Sequence, residues 1–185
     1  MNKKILALTL VLLAIPMLAM VPVQAKKTIV PFTDVMGFMT TISGTTVEKF
    51  SGDGHLKIAT GTQREGVYNG PLGTGMFYSE AIISIMENWL IYPAGKGRGV
   101  YKMRLEITSG SALINYGTGT LEGIGTVKTE FDMTEDPLRM EFWSKASLKH
   151  GTGDLEGVML NTEGHGFFTG PDTFVVWNSG EIILP

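Results

Sequence analysis

Apolar and polar residues alternate along much of this chain, most clearly between Leu138 and Lys149. Because successive side chains of a β-strand point to opposite faces, this period of two predicts a half-buried antiparallel strand. Trp143 is an exception, since it falls on the face that otherwise carries charged side chains. The apolar face of this strand holds Leu138, Met140, Phe142, Ala146 and Leu148. The same alternation predicts strands at Tyr101–Ile107 and at Val127–Met133.

The segment from Ser79 to Tyr92 is compatible with two structures. Its apolar residues suit a strand, but they also form a helical stripe of Ile82, Ile85, Met86, Trp89 and Leu90. We predict a strand, because isoleucine and tyrosine are common in sheets and the flanking segments have strand-like patterns.

Two further segments are predicted to reverse or interrupt the sheet. Pro93–Gly99 is basic and rich in glycine, which favours an exposed loop. Near the C-terminus, Phe174–Trp177 and Ile182–Leu184 have strand-like composition, and Asn178-Ser179-Gly180 between them favours a hairpin turn.

Glycine is the outlier in composition, with 24 in 185 residues against a usual share of roughly 7%. A glycine-rich phrase occurs twice, at Gly117–Gly123 and again 34 residues later at Gly151–Gly157, with six of seven positions identical. Glycines at this spacing favour tight, close-packed turns between strands. The predicted structural turn residues are Gly117, Gly119, Gly123, Gly151, Gly153 and Gly157.

These patterns predict an all-β protein. A single open sheet of about eight strands would expose edges that invite aggregation, and closing the sheet removes them. We therefore expect a single closed antiparallel barrel of about eight strands. The interior of such a barrel is just wide enough for side chains or one small ligand.

The N-terminus has the pattern of a secretory signal peptide over residues 1–25. Lys3 and Lys4 precede an apolar run that ends at Val23-Gln24-Ala25, where the small residues suit signal peptidase. We therefore expect a secreted protein, with a loose N-terminal lead-in at 26–33, the barrel domain at 34–185 and no membrane span in the mature chain. An uncleaved membrane anchor is the alternative.

Composition excludes several classes of function. The formal net charge is −3 and there is no basic stripe, so we expect no nucleic-acid partner. There is no cysteine, and the three histidines lack ligand spacing, so neither a metal site nor a cofactor is predicted.

The repeated phrase resembles a known family. A strand ending in Gly-Thr-Gly-x-Leu-x-Gly, followed by Gly164-His165-Gly166-Phe167, is similar to the allene oxide cyclase-like barrels, which include the dirigent proteins and small exported domains of unknown function. The resemblance is strongest over Gly117 to Phe168. It implies an eight-stranded antiparallel barrel that is often oligomeric and sometimes has an apolar cavity. Some members steer reactive lipid or phenolic intermediates, but none of the family's catalytic positions can be matched here.

Two groups of residues are candidates for function. Tyr101, Met103, Met140 and Phe142 lie on predicted strands and would line an apolar ligand pocket if the interior is not fully packed. His165 and Glu163 share one face of a strand and could act as an acid–base pair, but we favour an ordinary solvated outer face for them.

These observations leave three alternative functions, of which we favour the first. The barrel would bind a small apolar ligand or serve as a surface interaction module, without catalysis. Alternatively, it would be a cyclase or isomerase that uses His165 and Glu163 at the cavity. The third possibility is a structural homo-oligomer, in which Trp143 would suit a subunit contact.

Overall fold

The protein is described by a computed structural model that covers residues 26–52, 56–88, 91–111, 114, 116–134, 140–170 and 172–185. The predicted signal peptide at 1–25 lies outside the described residues. Within them the chain is all-β, with one short 3-10 helix at Gly153–Leu155. The strands are β1 (Thr28–Thr41), β2 (Val47–Phe50), β3 (Leu56–Thr60), β4 (Gln63–Gly70), β5 (Gly73–Glu87), β6 (Ala94–Gly110), β7 (Gly119–Asp132), β8 (Met140–Gly151), β9 (Met159–Phe168) and β10 (Thr173–Leu184).

Eight of these strands form a closed antiparallel barrel, which confirms the predicted fold class. Their order is β5-β4-β1-β10-β9-β8-β7-β6, and β6 pairs back onto β5 to complete the ring. The β2–β3 hairpin lies beside the barrel at one end, where β3 pairs with the last residues of β5. Closure satisfies the backbone groups that a sheet edge would otherwise leave unpaired.

The strand interpretation of the ambiguous segment is confirmed over residues 79–87. These residues belong to β5, which pairs with β4 along its first half, with β3 along its last residues and with β6 along its length. Trp89 and Leu90 lie outside the described residues. Pairing on both sides decides between strand and helix here, because local periodicity suits both.

The structure differs from the sequence-based expectation for the lead-in at 26–33. Residues 28–33 form the first part of β1, and those from Thr28 to Phe32 pair with β10, from Thr28 opposite Leu184 to Phe32 opposite Gly180. Without this partner the end of β10 would be an exposed edge. Pairing with β10, which is far away in sequence, therefore makes a strand of residues whose own sequence does not predict one.

The predicted loop at Pro93–Gly99 and the predicted hairpin turn at 178–180 are both wrong. Residues 94–99 form the start of β6, and residues 178–180 lie in the middle of the continuous strand β10. In each case glycine leaves room for a neighbouring chain: a Cβ on Gly180 would collide with the Asn161 carbonyl of β9, and one on Gly99 would approach the Ile83 carbonyl of β5 to 2.9 Å. Glycine inside a strand often marks such close approach.

The core occupies one end of the barrel and leaves the other end less filled. At the first end, buried side chains come from strands β6 to β10 and from the β4–β5 and β8–β9 connections, among them Leu72, Leu105, Leu121, Leu148, Leu155, Val158, Leu160 and Ile182. A smaller cluster of Phe142, Phe174 and Val176 lies toward the other end. In the described part of the chain, no helix has the length and apolar character needed to cross a membrane.

The two copies of the glycine-rich phrase meet at the end of the barrel that the larger core cluster fills, which we call the closed end. Their conformations there differ. Gly153 and Gly157 have positive φ angles of 62° and 78° in the β8–β9 connection, in keeping with the predicted turn. Gly117 lies two residues before the start of β7, and Gly151 is the last residue of β8. The remaining two predicted turn residues, Gly119 and Gly123, lie inside β7, where Gly123 adjoins a break in register with β8. One phrase therefore serves as a strand in one place and as a connection in the other.

Candidate functional site: the barrel interior

A cavity of about 490 Å³ lies within the barrel. The four residues predicted to line a pocket, Tyr101, Met103, Met140 and Phe142, all line it. They come from β6 and β8, whose alternation turns these side chains inward. Ligand binding by these residues stays a prediction, but the structure brings all four to one space.

Aromatic rings form one wall of the cavity. The ring of Phe142 meets Phe174 edge to face, with centroids 5.2 Å apart at 89°, and meets Phe168 at 6.0 Å and 73°. The Phe168 and Phe174 rings are 5.4 Å apart. Edge-to-face contacts of this kind add to the stability from burial, so these rings form a stable, apolar wall.

Glycines on the inner face leave room for two of the large side chains. A Cβ on Gly125 of β7 would collide with the Tyr101 ring, and a Cβ on Gly166 of β9 would lie 2.6 Å from Cζ of Phe142. The rings therefore lie against bare backbone. This arrangement keeps the rings near the wall and leaves open volume at the centre of the barrel.

Arg64 of β4 is a charged residue that lines this largely apolar space. Its guanidinium carbon lies 5.6 Å from the centroid of the Phe174 ring, which is a cation–π distance. Its Nε is buried and has no hydrogen-bond partner among the residues that the structure describes. Burial lowers the pKa of Arg64, but an arginine side chain still stays protonated in proteins. The guanidinium is therefore a positive charge in a largely apolar cavity.

Tyr101 and Ser144 add hydroxyl groups to the same interior. They share a side-chain hydrogen bond, and Tyr101 is close enough to Arg64 for the two to interact electrostatically. Burial raises the pKa of Tyr101, so its phenol keeps its proton and its capacity to donate. At the closed end, burial likewise raises the pKa of Tyr68 to about 12, and its hydroxyl accepts the Leu72 N–H at 3.4 Å.

The cavity reaches solvent at the end flanked by the β2–β3 hairpin. Glu48 and Lys57 of the hairpin line it and form an ion pair at 2.5 Å. Asp172, in the β9–β10 turn, also lines the cavity and is exposed. This end therefore supplies a polar entrance to an apolar interior.

The wall of the barrel also thins between β1 and β4. These strands pair over only four residues, from Phe38 opposite Val67 to Thr41 opposite Arg64. Where the two strands are no longer paired, Met36 of β1 and Asn69 of β4 line the cavity. A β-bulge between Phe32 and Val35 bends β1 in this region.

The predicted acid–base pair, His165 and Glu163, lies on the outer surface. Both side chains are more than half exposed, and neither lines the cavity. Glu163 pairs with Lys145, whereas the carboxylate near His165 is that of Glu141, at 3.4 Å. Among the described residues, no group of His, Asp and Glu side chains is arranged to hold a metal ion. His55 lies outside the described residues.

Around His165 the outside of the barrel carries an apolar surface. The Trp143 and His165 rings stack with centroids 5.1 Å apart at 7°, and Phe167 lies 5.4 Å from Trp177. Strands β1, β10 and β9 lie side by side here, with Met36 opposite Trp177 and Trp177 opposite His165. We call this surface the outer apolar face; its exposed members are Met36, Phe38, Val67, Trp143, Phe167 and Trp177. The first three also border the cavity, at the place where the wall thins between β1 and β4.

Sequence reasoning missed Arg64 and Ser144, although a signal for Arg64 is present. Arg64, Gly66, Tyr68 and Gly70 alternate with exposed residues along β4, so the period of two places Arg64 on the inner face. An arginine that alternates in step with glycine and tyrosine is predicted to point inward with them. Because arginine is rarely buried without a partner, its presence there indicates a binding role for the interior.

Comparison with protein-family models and with curated proteins gives no relative. The chain matches no protein-family model, and no curated protein matches it. The resemblance to allene oxide cyclase-like barrels therefore stays a prediction that rests on the glycine-rich residues between Gly117 and Phe168.

Proposed function

We propose that this protein is exported and that its barrel binds a small apolar molecule without catalysis. The observation that carries the proposal is the cavity of about 490 Å³ with its wall of three phenylalanine rings. Ligand pockets typically have volumes of roughly 300–1,000 Å³ and combine apolar walls with a few polar groups. The hydroxyls of Tyr101 and Ser144 are such groups. Export is proposed from the signal-peptide pattern at residues 1–25.

Membership of the allene oxide cyclase-like barrels is part of the same proposal. It is supported by the glycine-rich phrases together with a closed barrel of eight antiparallel strands. Fold alone does not assign a function, so the proposed ligand binding rests on the cavity and not on the resemblance.

Titration with N-phenyl-1-naphthylamine, an uncharged probe that fluoresces in apolar surroundings, tests the binding function. We expect saturable binding of one probe per barrel. Met140→Trp should weaken it by filling the cavity, since Met140 lines the interior. His165→Ala and Trp143→Ser should leave it unchanged, because both residues are on the outside. Absence of binding, or binding lost only in the outer variants, would overturn the proposal.

The outer apolar face supports a second candidate function, namely assembly with a second copy of this chain. Phe38 is 59% exposed and Val67 is 66% exposed, and both belong to this contiguous surface. Monomeric proteins rarely expose large apolar patches, and aromatic residues are enriched where subunits meet. Both signs of charge flank the face, at Lys145 and Glu163, which suits a two-fold contact of one surface with itself.

Size-exclusion chromatography with light scattering tests this assembly. We expect wild type to elute as an oligomer and Trp143→Ser to shift toward monomer. Ile124→Ser is the matched control, because Ile124 is 58% exposed and projects from β7, outside the outer apolar face. Monomeric wild type at all concentrations would overturn the assembly.

A further inference from the structure

Arg64 is the buried positive charge of the cavity, and the charged groups around it do not neutralise it. Arg64, Lys57, Arg98, Glu48 and Asp172 are the charged residues that line the cavity. Glu48 is paired with Lys57, while Arg98 and Asp172 are exposed at the rim. None of the ion pairs found among the described residues includes Arg64.

The surroundings of Arg64 make this arrangement costly in the empty barrel. Among the described residues its buried Nε has no hydrogen-bond partner, and its guanidinium lies over the face of the Phe174 ring. A charge removed from water loses hydration that an aromatic ring replaces only in part. A negative group that enters the cavity would recover this loss, because a planar guanidinium matches the two oxygens of a carboxylate.

We propose that the ligand is an apolar molecule with one carboxylate, which binds Arg64 while its apolar part lies among the Phe142, Phe168 and Phe174 rings. This inference rests on the proposed binding function and specifies its ligand class. The Tyr101 hydroxyl lies on the same side of the interior and supplies a second donor for the carboxylate. The three phenylalanine rings around the rest of the molecule offer no partner to a second charge, so the molecule carries its charge at one end only.

Displacement of N-phenyl-1-naphthylamine by dodecanoate and by dodecanol tests the inference, because these ligands share a chain length and differ in head group. We expect wild type to bind dodecanoate at least about tenfold more tightly than dodecanol. Arg64→Met should abolish that preference while dodecanol still binds. Arg64→Lys keeps the charge without the planar fork, so an intermediate preference is expected.

Arg104→Met is the matched control, since Arg104 projects outward from β6 and pairs with Glu106 at 3.0 Å. It should keep the wild-type preference for dodecanoate. Circular dichroism checks that each variant folds.

Equal affinity of wild type for both ligands, or a preference that survives Arg64→Met, would overturn this inference and leave the binding function intact. If wild type binds the probe and neither dodecyl ligand displaces it, the carboxylate ligand class fails. If no ligand binds at all, the binding function fails with it.

Discussion

The carboxylate of Asp154 accepts the backbone N–H of Thr118 at 3.0 Å, and the Thr118 carbonyl accepts the backbone N–H of Asp154 at 3.0 Å. Thr120 and Thr152 repeat this relationship, with a backbone bond of 2.9 Å and a hydroxyl contact of 2.7 Å. In both pairs the second residue of one phrase copy meets the fourth residue of the other. The two copies therefore bind each other and close the packed end of the barrel.

Gly117→Ala should weaken this contact between the copies. A Cβ on Gly117 would collide with the Asp154 carboxylate, which must then leave the Thr118 N–H. Loss of one such hydrogen bond is expected to lower the free energy of unfolding by about 1 kcal/mol, measured by urea denaturation.

A double-mutant cycle gives the sharpest check of that mechanism. In an Asp154→Ala background the collision is absent, so Gly117→Ala should then have little further effect. Gly52→Ala is the matched control, because a Cβ at Gly52 would meet no other described part of the chain within 4 Å. Additive effects of the two substitutions would contradict the proposed contact.

Arg64→Met should raise the stability of the ligand-free protein. The substitution replaces a buried charge that has no counter-ion among the described residues with an apolar side chain beside the Phe174 ring. We expect a gain of about 1–3 kcal/mol in the free energy of unfolding. Arg104→Met, on the surface, should gain nothing. A loss of stability in Arg64→Met would mean that Arg64 is neutralised within the barrel.

Phe142→Ala should destabilise the cavity wall. Phe142 is 6% exposed and meets two other rings, so truncation removes both burial and aromatic contacts. The expected cost is about 3–5 kcal/mol by denaturant unfolding. Phe167→Ala, on the neighbouring strand, is the control. Because Phe167 is 41% exposed, its truncation should lower the free energy of unfolding far less. Similar costs for both variants would contradict the assignment of inner and outer faces.

Stability should fall in alkali because of Tyr68. Its pKa is raised from 10.0 to about 12 by burial, so between these values the unfolded chain releases a proton that the folded chain retains. Stability from this group is thus fully present below about pH 10 and is lost as pH rises toward 12, by up to about 2–3 kcal/mol. Urea denaturation at about pH 9 and about pH 11 measures it. Tyr68→Phe should lose less stability over this interval than wild type, and an unchanged slope would contradict the assignment.

Glycine shows how far local sequence predicts this fold. The 24 glycines and the alternation between them correctly predict an all-β barrel. The same glycines mislead at 93–99 and at 178–180, where they favour a loop or turn and a strand is found. A glycine that reverses the chain and a glycine that admits a neighbouring backbone are identical in sequence, and only the partner strand distinguishes them.

The cavity shows the same limit for function. The period of two correctly places Tyr101, Met103, Met140 and Phe142 on an inner face, since it determines which way each side chain points. His165 and Glu163 lie on the outside for the same reason, in phase with the exposed residues of β9. The sequence therefore determined the direction of individual side chains.

Only the tertiary structure decided what those side chains meet. Closure of β6 onto β5 encloses the interior, and pairing of β4 with β1 brings Arg64 to the Phe174 ring of β10. Whether a buried guanidinium has a counter-charge depends on residues far away in sequence, because burial and electrostatic energy arise from the whole enclosure. The sequence by itself determined a glycine-rich barrel with an apolar inner face, and the closed sheet made Arg64 a charge that a ligand can neutralise.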